Sequence, residues 1–500
     1  MYQAVRFEES IERYLEKIGA TEPTEAARLL DELKGDGLSD ETIYLLFALA
    51  SARWIDHHGP YIGHGTLNMG PLIRAAELVD RSHKRLSLLQ AAVYVLELLR
   101  NPNYGPYLQV QTDGVWHDTV EETQDAMLAH TTPGKFQYRT ENLFIGLYRQ
   151  IGQEVRWPLL RMGLLEYGHN EHKLLIVHRT LQLLDMGDHW NYGETLLRPA
   201  VQYLAAPPKY PQAWEIVETA LEKYELSSPA ILEQIKWESD VDNALASNLL
   251  QELFACEAGA EADLTARWLR EGVNVPTIAE AIGLLSGLML IRSHDNEEHI
   301  VTGIHCILEL VANKQAPQEL RLHALLVALQ SDRTRSFKSV RGKMRELPFP
   351  LFGQEEQSTV SRQIQDAGNK APDSQEAVSL SAIRSAIEED ETGHRAMSLV
   401  ARYLRSQADT PARSSSVREQ ESLDALASEL IAASLSNDGP FMAIHAAKMI
   451  WGQWLLTQNS THPDRWLHFG SAASLLARNY QGGIKSAARV LQQWNKEMIR

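Results

Sequence analysis

The chain has 500 residues, 44% of them hydrophobic and 23% charged, which is ordinary globular usage with enough apolar material for a large core. That composition excludes disorder for most of the chain. The formal net charge of -17 argues against nucleic acid as a partner, because a phosphate-tracking surface needs a concentrated basic patch.

The N-terminus, Met1-Tyr2-Gln3-Ala4-Val5-Arg6-Phe7-Glu8-Glu9, has neither a basic n-region nor an apolar h-region. No secretory signal is read there, and a cytoplasmic location is expected. The longest nearly apolar run, 281–291, is far short of the roughly 20 residues that cross a bilayer, so no membrane is expected. Cys256 and Cys306 are the only cysteines, too few for a disulfide framework or a thiolate metal site. They read as small buried apolar residues.

Alternation is rare, whereas apolar residues recur at three- and four-residue spacing almost throughout, so the expected fold is all-α. Ser39 is placed to cap a helix whose Ile43, Leu46, Phe47, Ala50 and Trp54 share one face, with Gly59-Pro60 ending it. Comparable stretches run through 86–99, 159–184, 213–224, 297–311, 319–329, 423–435 and 441–456. No fixed 30- to 45-residue period emerges. A large irregular multi-helix bundle with one extended core is expected, although length alone allows roughly three domains.

Two segments interrupt the pattern: 354–375, rich in Gln, Ser and Asp, and 406–418, with Pro411 and the Ser414-Ser415-Ser416 run. Both read as surface loops. The expected organisation is an N-terminal helical region, 1–353, a mobile loop, 354–375, and a C-terminal helical region, 376–500, that completes the same core.

The 18 histidines are clustered. His57, His58 and His64 flank the Gly59-Pro60 break; His169, His172 and His178 follow Tyr167-Gly168; His294, His299 and His305 form a third group; His445 stands alone in a late helix. Four pairs share a six-residue offset, His58/His64, His172/His178, His299/His305 and His462/His468, where random placement gives about one. Six helical residues turn through roughly 240°, so such a pair points to two faces and is not a chelate. A shared centre would instead take one ligand from each cluster, as packed helices allow, and imidazole is the commonest protein ligand for iron, zinc and copper. The opposing reading treats each histidine as a packed, hydrogen-bonded core residue.

The segment Pro440 to Leu456 is apolar on nearly every side, so it should be buried all round, with Pro440 at the first helical position. Lys448 is its only charged residue. A buried ammonium must snorkel outward, find a carboxylate, lose its proton or be modified. Lys448 follows His445 at i+3, on the same face.

Weaker signals come to little. His117-Asp118 is the dipeptide of metal-dependent phosphohydrolases but lies in a polar, poorly periodic stretch. Gly63-x-Gly65 precedes no strand-to-helix turn, and no dinucleotide or phosphate loop occurs, so NADPH is not supported by any motif. No serine nucleophile elbow is present. Asp188-His189-Trp190 and Trp116-His117 read as loop or helix-end residues with packing aromatics.

His57-His58-Gly59-Pro60-Tyr61-Ile62-Gly63-His64, Gly168-His169-Asn170-Glu171-His172, His299-Ile300-Val301-Thr302 and His445-Ala446-Ala447-Lys448 occur in the order seen in the questin oxidase-like family. The chain resembles that family from about residue 45 to 480, through short motifs separated by unmatched sequence. The family comprises all-helical oxidases and ring-cleaving oxygenases of anthraquinone-type polyketides, some of them non-haem iron enzymes with a histidine-rich centre and a carbamylated lysine. The resemblance implies His64, His172, His299 and His445 as Fe(II) ligands with Lys448 as a carbamate ligand. His169 competes with His172, because the middle cluster departs from the family pattern, and His58 likewise competes with His64 for the first position.

The expected function is therefore a non-haem iron oxygenase acting with dioxygen on a small apolar aromatic substrate, with Lys448 carrying the catalytic role and Tyr61, Tyr167 and Trp451 as wall residues. The rivals are a metal-free helical interaction scaffold, and a zinc or manganese hydrolase using a carboxylate such as Glu166. Nothing bears on oligomeric state.

Overall fold

The computed structural model describes residues 3–58, 62–130, 137–168, 171–206, 212–293, 298–339, 378–408, 415–437 and 439–480. Among these the fold is all-α, an irregular bundle of many helices, with an isolated β-bridge between Ala4 and Val110. The loop expected at 354–375 lies outside the described residues, as do 409–414 of the second interruption.

Helix starts follow local chemistry. Ser39 accepts from the Thr42 amide at 3.1 Å and opens Asp40–Trp54. Asp80 accepts from Ser82 and His83, Asp242 from Leu245, and Asn274 from Thr277, each taking up backbone donors that the first turn leaves unpaired. Gly439, at φ +106°, turns the chain into the helix Pro440–Asn459. Only glycine adopts that conformation without steric cost.

Two expectations are corrected. The stretch 159–184 is two helices, Arg156–Leu165 and His172–Leu184. Gly168 lies at the break, where a Cβ would stand 2.1 Å from the Ala213 Cβ, so the turn exists to let two segments touch. The serine run near 415 opens a helix, Ser415–Leu435, in place of a loop, in keeping with the preference of serine for helix starts.

Pro440–Asn459 lies at the centre. It packs against Ser415–Leu435, Trp466–Asn479, Met69–Glu77, Arg81–Leu98 and His299–Ala312. His172–Leu184 packs in turn against Met69–Glu77 and His299–Ala312. One buried apolar cluster runs from Tyr14 to Ala477, drawing side chains from both sides of 340–377. Gln90 Nε2 donates to the Leu435 carbonyl at 3.0 Å across the same divide. Val275–Arg292 is long and apolar enough to cross a membrane, yet 78% of it is buried within the protein.

Candidate metal centre

Three helix beginnings converge beside Pro440–Asn459. His64 lies just ahead of Met69–Glu77, His172 and His299 are each the first residue of their helices, and His445 and Lys448 sit in the first turns of the central one. A side chain at a helix start is carried to the bundle end, so a shared centre needs only that these ends meet.

The Nε2 atoms of His64 and His172 are 3.2 Å apart. Ring centroids of His172 and His299 are 4.3 Å apart, and those of His64 and His445 4.5 Å. One ring nitrogen from each of His64, His172 and His299 falls within 4.8 Å of the others. Two nitrogens bound to one ion at about 2.1 Å would stand about 3.0 to 3.4 Å apart. The His64–His172 pair already has that spacing.

His445 carries the firmest sign of a ligand. Its Nδ1 donates to the Phe441 carbonyl at 2.6 Å, which fixes the tautomer and leaves a lone pair on Nε2. That atom is buried and makes no hydrogen bond among the described residues. Burial holds the His64, His172 and His445 rings well below the usual imidazole range, with repulsion from neighbouring groups adding to it, so all three are neutral. Neutral imidazole is the ligating form.

His299 is held differently. Arg333 donates to its Nδ1 at 3.0 Å, and because a guanidinium only donates, the ring as placed carries its proton on Nε2. That nitrogen lies 4.0 Å from Glu298 Oε1. Ligation through Nε2 therefore requires the other tautomer, with the proton on Nδ1 and the Arg333 guanidinium turned away from it.

Lys448 is 1% exposed and its Nζ is 3.6 Å from Glu298 Oε1. Burial pushes the ammonium down, and Glu298 offsets this only in part. Burial alone would raise the Glu298 carboxyl, but His299 and Lys448 outweigh it and hold it below its ordinary value. Of the outcomes open to a buried lysine, a carboxylate is thus in place. Neither Glu298 nor the Arg333–Glu171 pair, 3.6 Å apart, was a candidate from sequence. Glu298 immediately precedes His299, and an acidic residue beside a candidate ligand was the available signal.

The other candidates fall elsewhere. His58 Nδ1 pairs with Asp56 Oδ1 at 2.8 Å and its Nε2 lies 3.9 Å from Glu141. His57 spans the Ile55 and Gly63 carbonyls. His169, His294 and Tyr61 lie outside the described residues. The six-residue partners part as the helical offset requires: His305 Nδ1 accepts from Arg179 at 2.8 Å, and His178 stands 3.8 Å from Glu309. Trp451 packs its ring against His305, and Tyr167 is buried against Gly303.

His178, Cys306 and Glu309 form a second group with metal-compatible spacing. There the Arg179 guanidinium binds Glu309 at 3.2 Å, so a resident cation already neutralises the carboxylate. Phe441 is 45% exposed yet stands over the first centre, its ring 3.9 Å from His445 and 5.7 Å from His64. An apolar surface thus adjoins the histidines.

No protein-family model matches the chain, and no curated protein or solved structure does.

Proposed function

We propose that the chain is a non-haem iron oxygenase in which His64, His172, His299 and His445 hold Fe(II), a carbamylated Lys448 supplies an anionic oxygen, and an apolar aromatic substrate meets dioxygen beside Phe441. The observation that carries this reading is the His445 ring, whose buried Nε2 lone pair makes no hydrogen bond among the described residues while its centroid lies 4.5 Å from that of His64. An orphaned acceptor of this kind costs about 1 to 3 kcal/mol unless something binds it. The resemblance to the questin oxidase-like family supplies the iron and the substrate class.

An iron bound by these histidines would supply the redox chemistry toward dioxygen. The chain's own groups do the rest. Imidazoles kept neutral by burial stay competent as ligands near neutrality. A depressed Lys448 has more of the free amine that adds to carbon dioxide, and the product is a carboxylate-like donor. Phe441 offers its exposed face to a ring, and Tyr94, 6.1 Å from it, extends the aromatic wall.

A second reading rests on the Glu298–Lys448 contact. Here Lys448 stays an amine or ammonium, and Glu298 is the anionic group of the centre. Elemental analysis of protein purified without chelators tests the common premise: about one iron per chain is expected, lost in His445→Ala. Absence of metal would leave the interaction scaffold, and stoichiometric zinc or manganese would favour a hydrolase.

A further inference from the structure

Some 80 residues apart in sequence, a cysteine and a lysine meet at the C-terminal end of Asn243–Ala255. Cys256 caps that helix and is half-buried. Lys338, 6% exposed near the end of Asp332–Ser339, reaches across with its Nζ 2.9 Å from the Cys256 Sγ. It also donates to the carbonyls of Leu253 at 2.8 Å and Cys256 at 3.1 Å. On its far side Nζ lies 2.6 Å from Oε1 of Glu261, which is 1% exposed.

A capping lysine needs only the carbonyls, and an ion pair needs only the carboxylate. Neither requires a thiol within bonding reach of the amine. With sulfur and nitrogen 2.9 Å apart, a single inserted oxygen atom would span them without moving either helix. Glu261 is positioned to take the ammonium proton, which exposes the nitrogen lone pair that the chemistry needs.

We propose that Cys256 and Lys338 form a covalent modification site, a sulfur–oxygen–nitrogen bridge made with dioxygen. The Lys338 ammonium passes a proton to Glu261. The thiol S–H and one amine N–H then break, S–O and O–N bonds form, and the O–O bond is cleaved. One oxygen atom enters the bridge and the other leaves as water. Sulfur and nitrogen each give up two electrons, which accounts for the four that dioxygen accepts. A dithiol reductant reverses the step, returning thiol and amine with the bridging oxygen as water.

The site is independent of the histidine centre, and its test does not need iron. Full-length protein held in air without reductant is compared by intact mass with a sample kept anaerobic. The bridge adds one oxygen and removes two hydrogens, a gain of about 14 Da that dithiothreitol erases, whereas simple thiol oxidation adds about 16 or 32 Da. Tryptic digestion should skip the bond after Lys338 and yield a peptide linked to the one containing Cys256. Lys338→Arg keeps the cation and its carboxylate partner but supplies no amine, so it should lose the 14 Da gain while its circular dichroism is unchanged. Cys306→Ser should keep it. A wild-type mass that stays constant in air, that rises only by whole oxygens, or that falls by about 2 Da through a disulfide overturns the proposal.

Discussion

Glu298 Oε1 and Lys448 Nζ stand 3.6 Å apart with both side chains buried, yet that oxygen makes no hydrogen bond among the described residues. The contact also changes how Lys448 is to be tested, because removing the amine alone strands a buried carboxylate, at a cost of about 3 to 5 kcal/mol. Lys448→Met should therefore lower Tm, and Glu298→Gln introduced beside it should recover part of the loss. Iron content separates the readings. Both the single and the double variant should lack iron if Lys448 ligates through a carbamate, and added formate or acetate should restore some to Lys448→Ala. Full iron in the double variant would sink the carbamate assignment.

The 3.2 Å spacing of His64 and His172 predicts a chelation effect on stability. Without an ion the pair is worth one hydrogen bond, about 0.5 to 1.5 kcal/mol. An ion bound only by the folded state adds RT ln(1 + [L]/Kd), about 2.7 kcal/mol at a hundredfold excess over Kd. Treatment with a chelator should lower Tm by several degrees in the wild type and leave His172→Ala, already metal-free, unmoved. Equal shifts in both proteins would remove His172 from the centre.

The helices were legible because apolar periodicity is a local property: Ser39 and Pro440 mark their helix starts in sequence as in structure. The break at Gly168 was not, since its cause is Ala213, a contact 45 residues away that no local pattern encodes. At the centre, the six-residue offset excluded pairing within a cluster but did not say which histidine each cluster supplies; His64, His172 and His299, which come together, were named by the family resemblance. The choice between His58 and His64 needed Asp56 and Glu141, which hold His58 elsewhere. Glu298 and Arg333 stayed hidden for the same reason. A charged residue in an amphipathic stretch looks solvated until a distant helix buries it.

Among the described residues Phe441 is one of the few large apolar side chains left exposed, and it lies against His64 and His445. An aromatic ligand gains contact area there only if the ring is present. Phe441→Ala should weaken binding of an anthraquinone, followed by quenching of tryptophan fluorescence, by about tenfold, or ~1.4 kcal/mol. Iron content should stay at the wild-type level, since the His445 Nδ1 bond goes to the backbone carbonyl of residue 441 and not to the ring. Unchanged affinity would mean that the substrate approaches from another side.

The last prediction concerns acid stability and a histidine outside the centre. Burial pushes His468 down to about 3, and its Nδ1 makes no hydrogen bond among the described residues. In the unfolded chain the same ring titrates near 6.5. Between those values the unfolded state binds the extra proton, so the contribution of His468 is complete above pH 6.5 and is lost as pH falls toward 3, at up to about 1.4 kcal/mol per pH unit. Glu280 and Glu309 act oppositely, because burial raises both carboxyls to about 7. Their contribution is complete below the ordinary carboxyl value of 4.5 and fades as pH rises through 7, so it partly masks the histidine between pH 4.5 and 6.5. A variant comparison removes the mask. His468→Asn should lower Tm at pH 7.5 through lost packing, yet its further fall between pH 7.5 and 5 should be smaller than that of the wild type, as read by thermal melts at fixed ionic strength. An identical fall in both proteins would show that His468 takes up its proton without unfolding.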